Sequence, residues 1–120
     1  MLVAAVAFTV AVELQDVGAQ PGPMACELGP VTRTYGQSDW LVYSCSDEQS
    51  LVFVSAPGNA AMPFVFISTP TADGYRLYGE GSGSQDATRP AYEDLTRMTE
   101  EERDALLTET KEAATAVSSS

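Results

Sequence analysis

The chain has 120 residues, 17 Asp and Glu against 6 Lys and Arg, two cysteines and no histidine, giving a net charge of −11 at pH 7. Such a charge repels nucleic acid and anionic membrane surfaces and attracts basic proteins. The lack of histidine removes Ser-His-Asp and Cys-His catalysis and the commonest metal ligand, so no catalytic residue, metal site or cofactor is expected.

Residues 2–12, LVAAVAFTVAV, form an apolar run broken only by Thr9. It matches the core of a signal peptide and is too short to span a bilayer. Val17 and Ala19 supply small residues at the minus-three and minus-one positions, which predicts a signal peptide over residues 1–19 and a protein that works in the periplasm or outside the cell. No Lys or Arg precedes the run, and Glu13 and Asp16 follow it, a pattern that a start codon further upstream would account for. The alternative is that residues 2–14 form a buried strand. Pro23, Met24 and Ala25 before Cys26 make no lipobox, so no stable membrane anchor is expected.

Residues 20–30, QPGPMACELGP, are rich in Pro and Gly and read as an extended arm. Cys26 and Cys45, an even pair behind an export signal, are expected to join as a structural disulfide. Closing that loop stabilises the chain by about 3 kcal/mol in the loop-entropy model, a large share of a small domain's net stability. The spacing is not Cys-x-x-Cys, and no further Cys or His completes a ligand set.

Strand chemistry begins at residue 31. Segments 31–35, 40–46, 51–56, 64–69 and 75–80 are short and rich in Val, Phe, Tyr and Thr. GQSD (36–39), SDEQS (46–50), PGNAAMP (57–63) and PTADG (70–74) separate them with turn residues. Short links favour antiparallel neighbours, so residues 31–80 are predicted to form a five-stranded meander. GEGSGSQDATRP (79–90) is predicted to contain a flexible linker over 81–89.

Pro90 opens a predicted helix through Met98, with Tyr92 and Leu95 on one side. A second helix starts at a capping box made by Thr99 and Glu102. Its face Leu106, Leu107, Thr110, Ala113, Ala114 and Val117 should lie on the sheet, opposite Glu101, Asp104, Thr108, Lys111, Glu112 and Thr115. Residues 118–120 should fray. The fold class is therefore α+β: one domain over 20–117, an antiparallel meander covered by two helices over 90–117.

A sheet covered on one side by helices should alternate apolar and polar residues. Here Trp40, Val42, residues 51–54 and residues 64–67 place large apolar side chains on both faces. Trp40, Val42, Phe53, Phe64 and Phe66 are accordingly candidates for an interaction surface. The surplus is taken up either by curling of the sheet into a small barrel, by the amino-terminal arm, by a protein partner or second subunit, or by a small apolar ligand. Asp39, Asp47, Glu48, Asp73, Glu80 and Asp86 sit at strand ends or in loops, where carboxylate chemistry is possible but no calcium-loop spacing occurs. Gly79, Gly81 and Gly83 make no phosphate cradle, since Ser84 replaces the last glycine of the motif.

Tyr43-Ser44-Cys45-Ser46-Asp47, followed by Leu51, Phe53 and Asp73-Gly74-Tyr75, resembles the Tyr-x-Cys strand and Ser-Gly loop of periplasmic inhibitors of c-type lysozyme. The resemblance implies a small exported antiparallel barrel that inserts a loop into a basic enzyme, with Asp73 and Tyr75 in that loop. The chain departs from that pattern at Asp73, where the family has Ser, in the upstream position of Cys26 and in its terminal helices. The functional expectation is a non-catalytic binding or interaction module, with an inhibitor of a basic cell-wall hydrolase second and an enzyme third.

Overall fold

A computed structural model describes residues 25–119; the predicted signal peptide and residues 20–24 of the predicted arm lie outside the described residues. Five strands follow one another, β1 (Leu28–Tyr35), β2 (Ser38–Ser44), β3 (Leu51–Ser55), β4 (Phe64–Thr71) and β5 (Gly74–Gly81), and two helices follow them, α1 (Gln85–Thr96) and α2 (Glu100–Ser119). The strands are antiparallel and pair in sequence order. The fold is α+β, as the residue patterns predict.

The sheet does not close. β1 and β5 are its free edges, so the barrel considered as a sink for the apolar surplus, and implied by the inhibitor resemblance, does not form. β1 begins at Leu28, three residues earlier than expected, through an irregular register between the Leu28–Ser44 and Val31–Val42 pairs. The arm is thus partly strand. Cys26 and Cys45 are joined, and Ser46 donates its amide to the Ala25 carbonyl at 2.7 Å, so the start of β1 is tied to the end of β2.

The β1–β2 turn places Gly36 and Gln37 at φ of 59° and 68°, the left-handed pair that matches the twist of two hydrogen-bonded strands. Gly36 has a second reason to lack a side chain. A Cβ there would run into the α1 backbone at Pro90 and Ala91, while its amide donates to Asp94 Oδ2 at 2.6 Å. One turn therefore fixes both a hairpin and a helix.

The predicted linker shrinks to residues 82–84. Ser84 caps α1 by accepting the Asp86 amide at 3.2 Å, and Asp86 favours the positive end of the helix dipole. Pro90 falls inside the helix instead of opening it. Burial of Ala91 and Leu95 in the core holds the helix through the position where proline lacks a backbone donor. α2 starts as the sequence predicts: Glu102 donates its amide to Thr99 Oγ1 at 3.1 Å, and Thr99 donates its amide to Glu102 Oε1 at 2.9 Å.

Both helices lie on one face of the sheet. Trp40, Val42, Leu51, Phe53 and Phe66 from the strands, with Ala61, meet Ala91, Leu95 and Leu106 from the helices. Trp40 packs on Phe66 at 5.2 Å between ring centroids, Phe66 on Phe64 at 4.9 Å, and Tyr35 edge-on to Phe53 at 5.6 Å. Each such pair contributes roughly 0.5–1.5 kcal/mol beyond its buried area. Between these rings the same face carries Ser44, Ser55, Ser68 and Gly79, and a Cβ on Gly79 would strike the rings of Phe64 and Phe66. Small residues let the aromatics lie flat and the helices come close. Thr110 Oγ1 donates to Ser44 Oγ at 2.7 Å, and Arg33 pairs with Glu109 at the β1 edge.

Candidate functional site

Among the described residues the opposite face of the sheet carries no helix. Cross-strand pairing sets Leu41 beside Val54, Tyr43 beside Val52, Val52 beside Ile67, Val54 beside Val65, and Ile67 beside Tyr78. The result is an apolar band across β2, β3, β4 and β5, and all seven side chains are partly exposed. Thr32, Thr34 and Asp39 border it on one side and Arg76 and Glu80 on the other. Arg76 lies over the Tyr78 ring at 4.8 Å. The band is β-branched and aromatic, the composition that suits a pleated surface.

The residues proposed from the sequence as an interaction surface divide. Trp40, Val42, Phe53 and Phe66 are buried in the core beneath the helices, and Phe64 packs against that core. Asp73 is exposed in the β4–β5 turn, between the paired residues Thr71 and Gly74. Tyr75 is 41% exposed, and the Arg103 guanidinium lies 3.5 Å from its ring centroid. The apolar surplus is real, but Leu41, Tyr43, Val52, Val54, Val65 and Ile67 present it.

The carboxylates do not converge. Among the described residues no group of three or more Cys, Asp or Glu side chains could hold a metal ion. Asp47 accepts the Ser50 hydroxyl at 2.6 Å and the amides of Gln49 and Ser50, which shapes the loop between β2 and β3. Burial pushes its carboxyl pKa up, and these donors more than offset that and hold it below the usual carboxylate value. Asp39 accepts Thr34 Oγ1, and Asp94 accepts the Gly36 amide. These acids do structural work in turns.

Arg103 has no place in the expected sheet-facing set of α2, yet it is buried, with 5% of its surface exposed. Nη1 donates to Ser68 Oγ at 2.6 Å, and Nη2 donates to the carbonyls of Gln49 at 2.6 Å and Ser68 at 3.3 Å. Nε has no hydrogen-bond partner. No carboxylate among the described residues lies within ion-pair distance of this guanidinium. Burial lowers its pKa, opposed by Tyr75, Asp47 and Asp104. Its position was legible: residues 103, 106 and 110 share one helical face, so Leu106 and Thr110 imply that Arg103 points at the sheet.

Comparison with family models, curated proteins and solved structures finds no match to this chain. Among the described residues no helix is long and apolar enough to cross a membrane.

Proposed function

We propose that the protein is a small exported, non-catalytic interaction module that docks a basic protein on its open sheet face. The observation that supports this reading is the apolar band from Leu41 to Tyr78, which no described element covers, in a fold whose other face is already filled. Charge selects the occupant. A chain at −11 opposes a second copy of itself and draws in a partner of opposite sign. The paired cysteines and the apolar run over residues 2–12 support export.

Inhibition of a basic cell-wall hydrolase is the second reading, supported by Asp73 in an exposed hairpin turn with Tyr75 beside it. Both are tested with full-length protein and a c-type lysozyme and cytochrome c as basic probes. Binding to a basic protein that weakens with salt and is lost in Val54→Asp supports docking on the open face. A stable dimer that Val54→Asp dissociates would make a second copy the occupant and overturn the reading, as would failure to bind either probe at micromolar concentration. Loss of lytic activity that Asp73→Ala restores supports the inhibitor; undiminished lysis removes it.

A further inference from the structure

The buried Arg103 lies in the wall of a cleft of about 420 Å³ between the sheet and the junction of the two helices. Phe53, Leu77, Tyr92, Leu95 and Met98 supply apolar wall, and Arg103 is the cation among the lining residues. This volume falls within the range of sites for small organic molecules. A buried charge without a counter-ion is costly, and a buried guanidinium N–H without an acceptor adds to that cost. Two neutral carbonyls, one hydroxyl and an aromatic face meet this one.

From this combination we infer that the cleft is a binding site for an amphipathic organic carboxylate, its acid group on Arg103 and its apolar tail along Leu77, Leu95 and Met98. A carboxylate supplies what the guanidinium lacks: negative charge, and a lone pair for Nε. Tyr75 is the side chain that yields. It covers the guanidinium from edge strand β5 and is 41% exposed, so turning it toward water makes room for a carboxylate to meet the N–H groups in the guanidinium plane. Glu100 also lines the cleft, but it is exposed, so solvent screens its charge. The site is separate from the open sheet face, because Phe53 and Leu77 belong to the covered one.

Calorimetry and amide chemical shifts with decanoate and decanol as probes test the assignment on the full chain. Decanoate is expected to bind one to one, on the order of tenfold or more tighter than decanol, because a charge-assisted hydrogen bond separates the two. Its shifts should centre on Tyr75, Leu77 and Arg103. Thr96→Trp, an exposed lining position on α1, should fill the mouth and abolish binding while thermal stability is kept. Arg103→Gln should bring decanoate down to decanol; if that variant fails to fold, the Thr96 variant and the alcohol decide the matter. Absence of decanoate binding at millimolar concentration, equal affinity for decanol, indifference to Thr96→Trp, or shifts confined to Val52, Val54 and Val65 would each overturn the site.

Discussion

The two faces of the sheet carry nearly the same amount of apolar chemistry and meet opposite fates. The covered face mixes Trp40, Phe53 and Phe66 with Ser44, Ser55, Ser68 and Gly79. The open face is built from Leu41, Val52, Val54, Val65 and Ile67 with the rings of Tyr43 and Tyr78, and carries no Gly or Ser between them. Large rings beside small gaps give a relief into which helices can settle, and a helix brings its own backbone close only where the opposing side chains are small. A face without small residues offers no such gaps and suits contact with another broad surface. What separates the covered face from the open one here is the presence of small residues between the large ones and not the degree of hydrophobicity.

Replacing Phe53 with Ala should therefore cost about 3–5 kcal/mol in denaturant titration, while Val54→Ala on the neighbouring open-face position should cost no more than about 1 kcal/mol. Equal losses would break the comparison, since they would mean that something in the chain already covers Val54. The next largest effect concerns the edge that both faces share. Replacing Cys26 and Cys45 with Ser opens a loop with a sequence separation of 19 and should lower unfolding stability by about 3 kcal/mol, read by urea midpoint.

Thr99→Ala removes the cap on α2 and should cost about 1 kcal/mol, with a loss of helical circular dichroism and no change in binding on the open face. A further effect is a dependence on pH, confined to the alkaline range. Burial on the covered side pushes the Tyr35 phenol from its ordinary value of 10 up to about 12, with Arg33 opposing and Glu102 adding to the shift. The folded state holds this proton more tightly than the unfolded one, so the related stability is complete below pH 10 and is lost as pH rises toward 12. Tyr35→Phe should flatten that alkaline decline in the denaturant midpoint.

Much of the fold could be read from residue pattern. Turn chemistry at 36–39, 46–50, 57–63 and 70–74 separates all five strands, and the Thr99–Glu102 box forms as its spacing demands. The misreadings share one cause, local signals set against neighbours. Gly81 resembles a linker in isolation, but in β5 it pairs with Phe64, where the Pro63 carbonyl and the Phe64 backbone fill the space that a side chain would take. Pro90 looks like a helix start until Ser84 caps the chain earlier. Arg103 stood on the right helical face to be found, but its charge argued for solvent, and only Ser68, Gln49 and Tyr75 explain why it stays inside.

The amino-acid order alone determined the antiparallel meander, the cysteine pair and the presence of more apolar surface than two helices can cover, because strand alternation, turn residues and loop closure act over short distances along the chain. Only the tertiary structure decided which face the helices took, and with it which residues they left uncovered. Trp40 and Val54 are equally apolar to a pattern, and the choice between them rests on how rings, serines and helix backbones fit together in space, a matter of shape that no periodicity records.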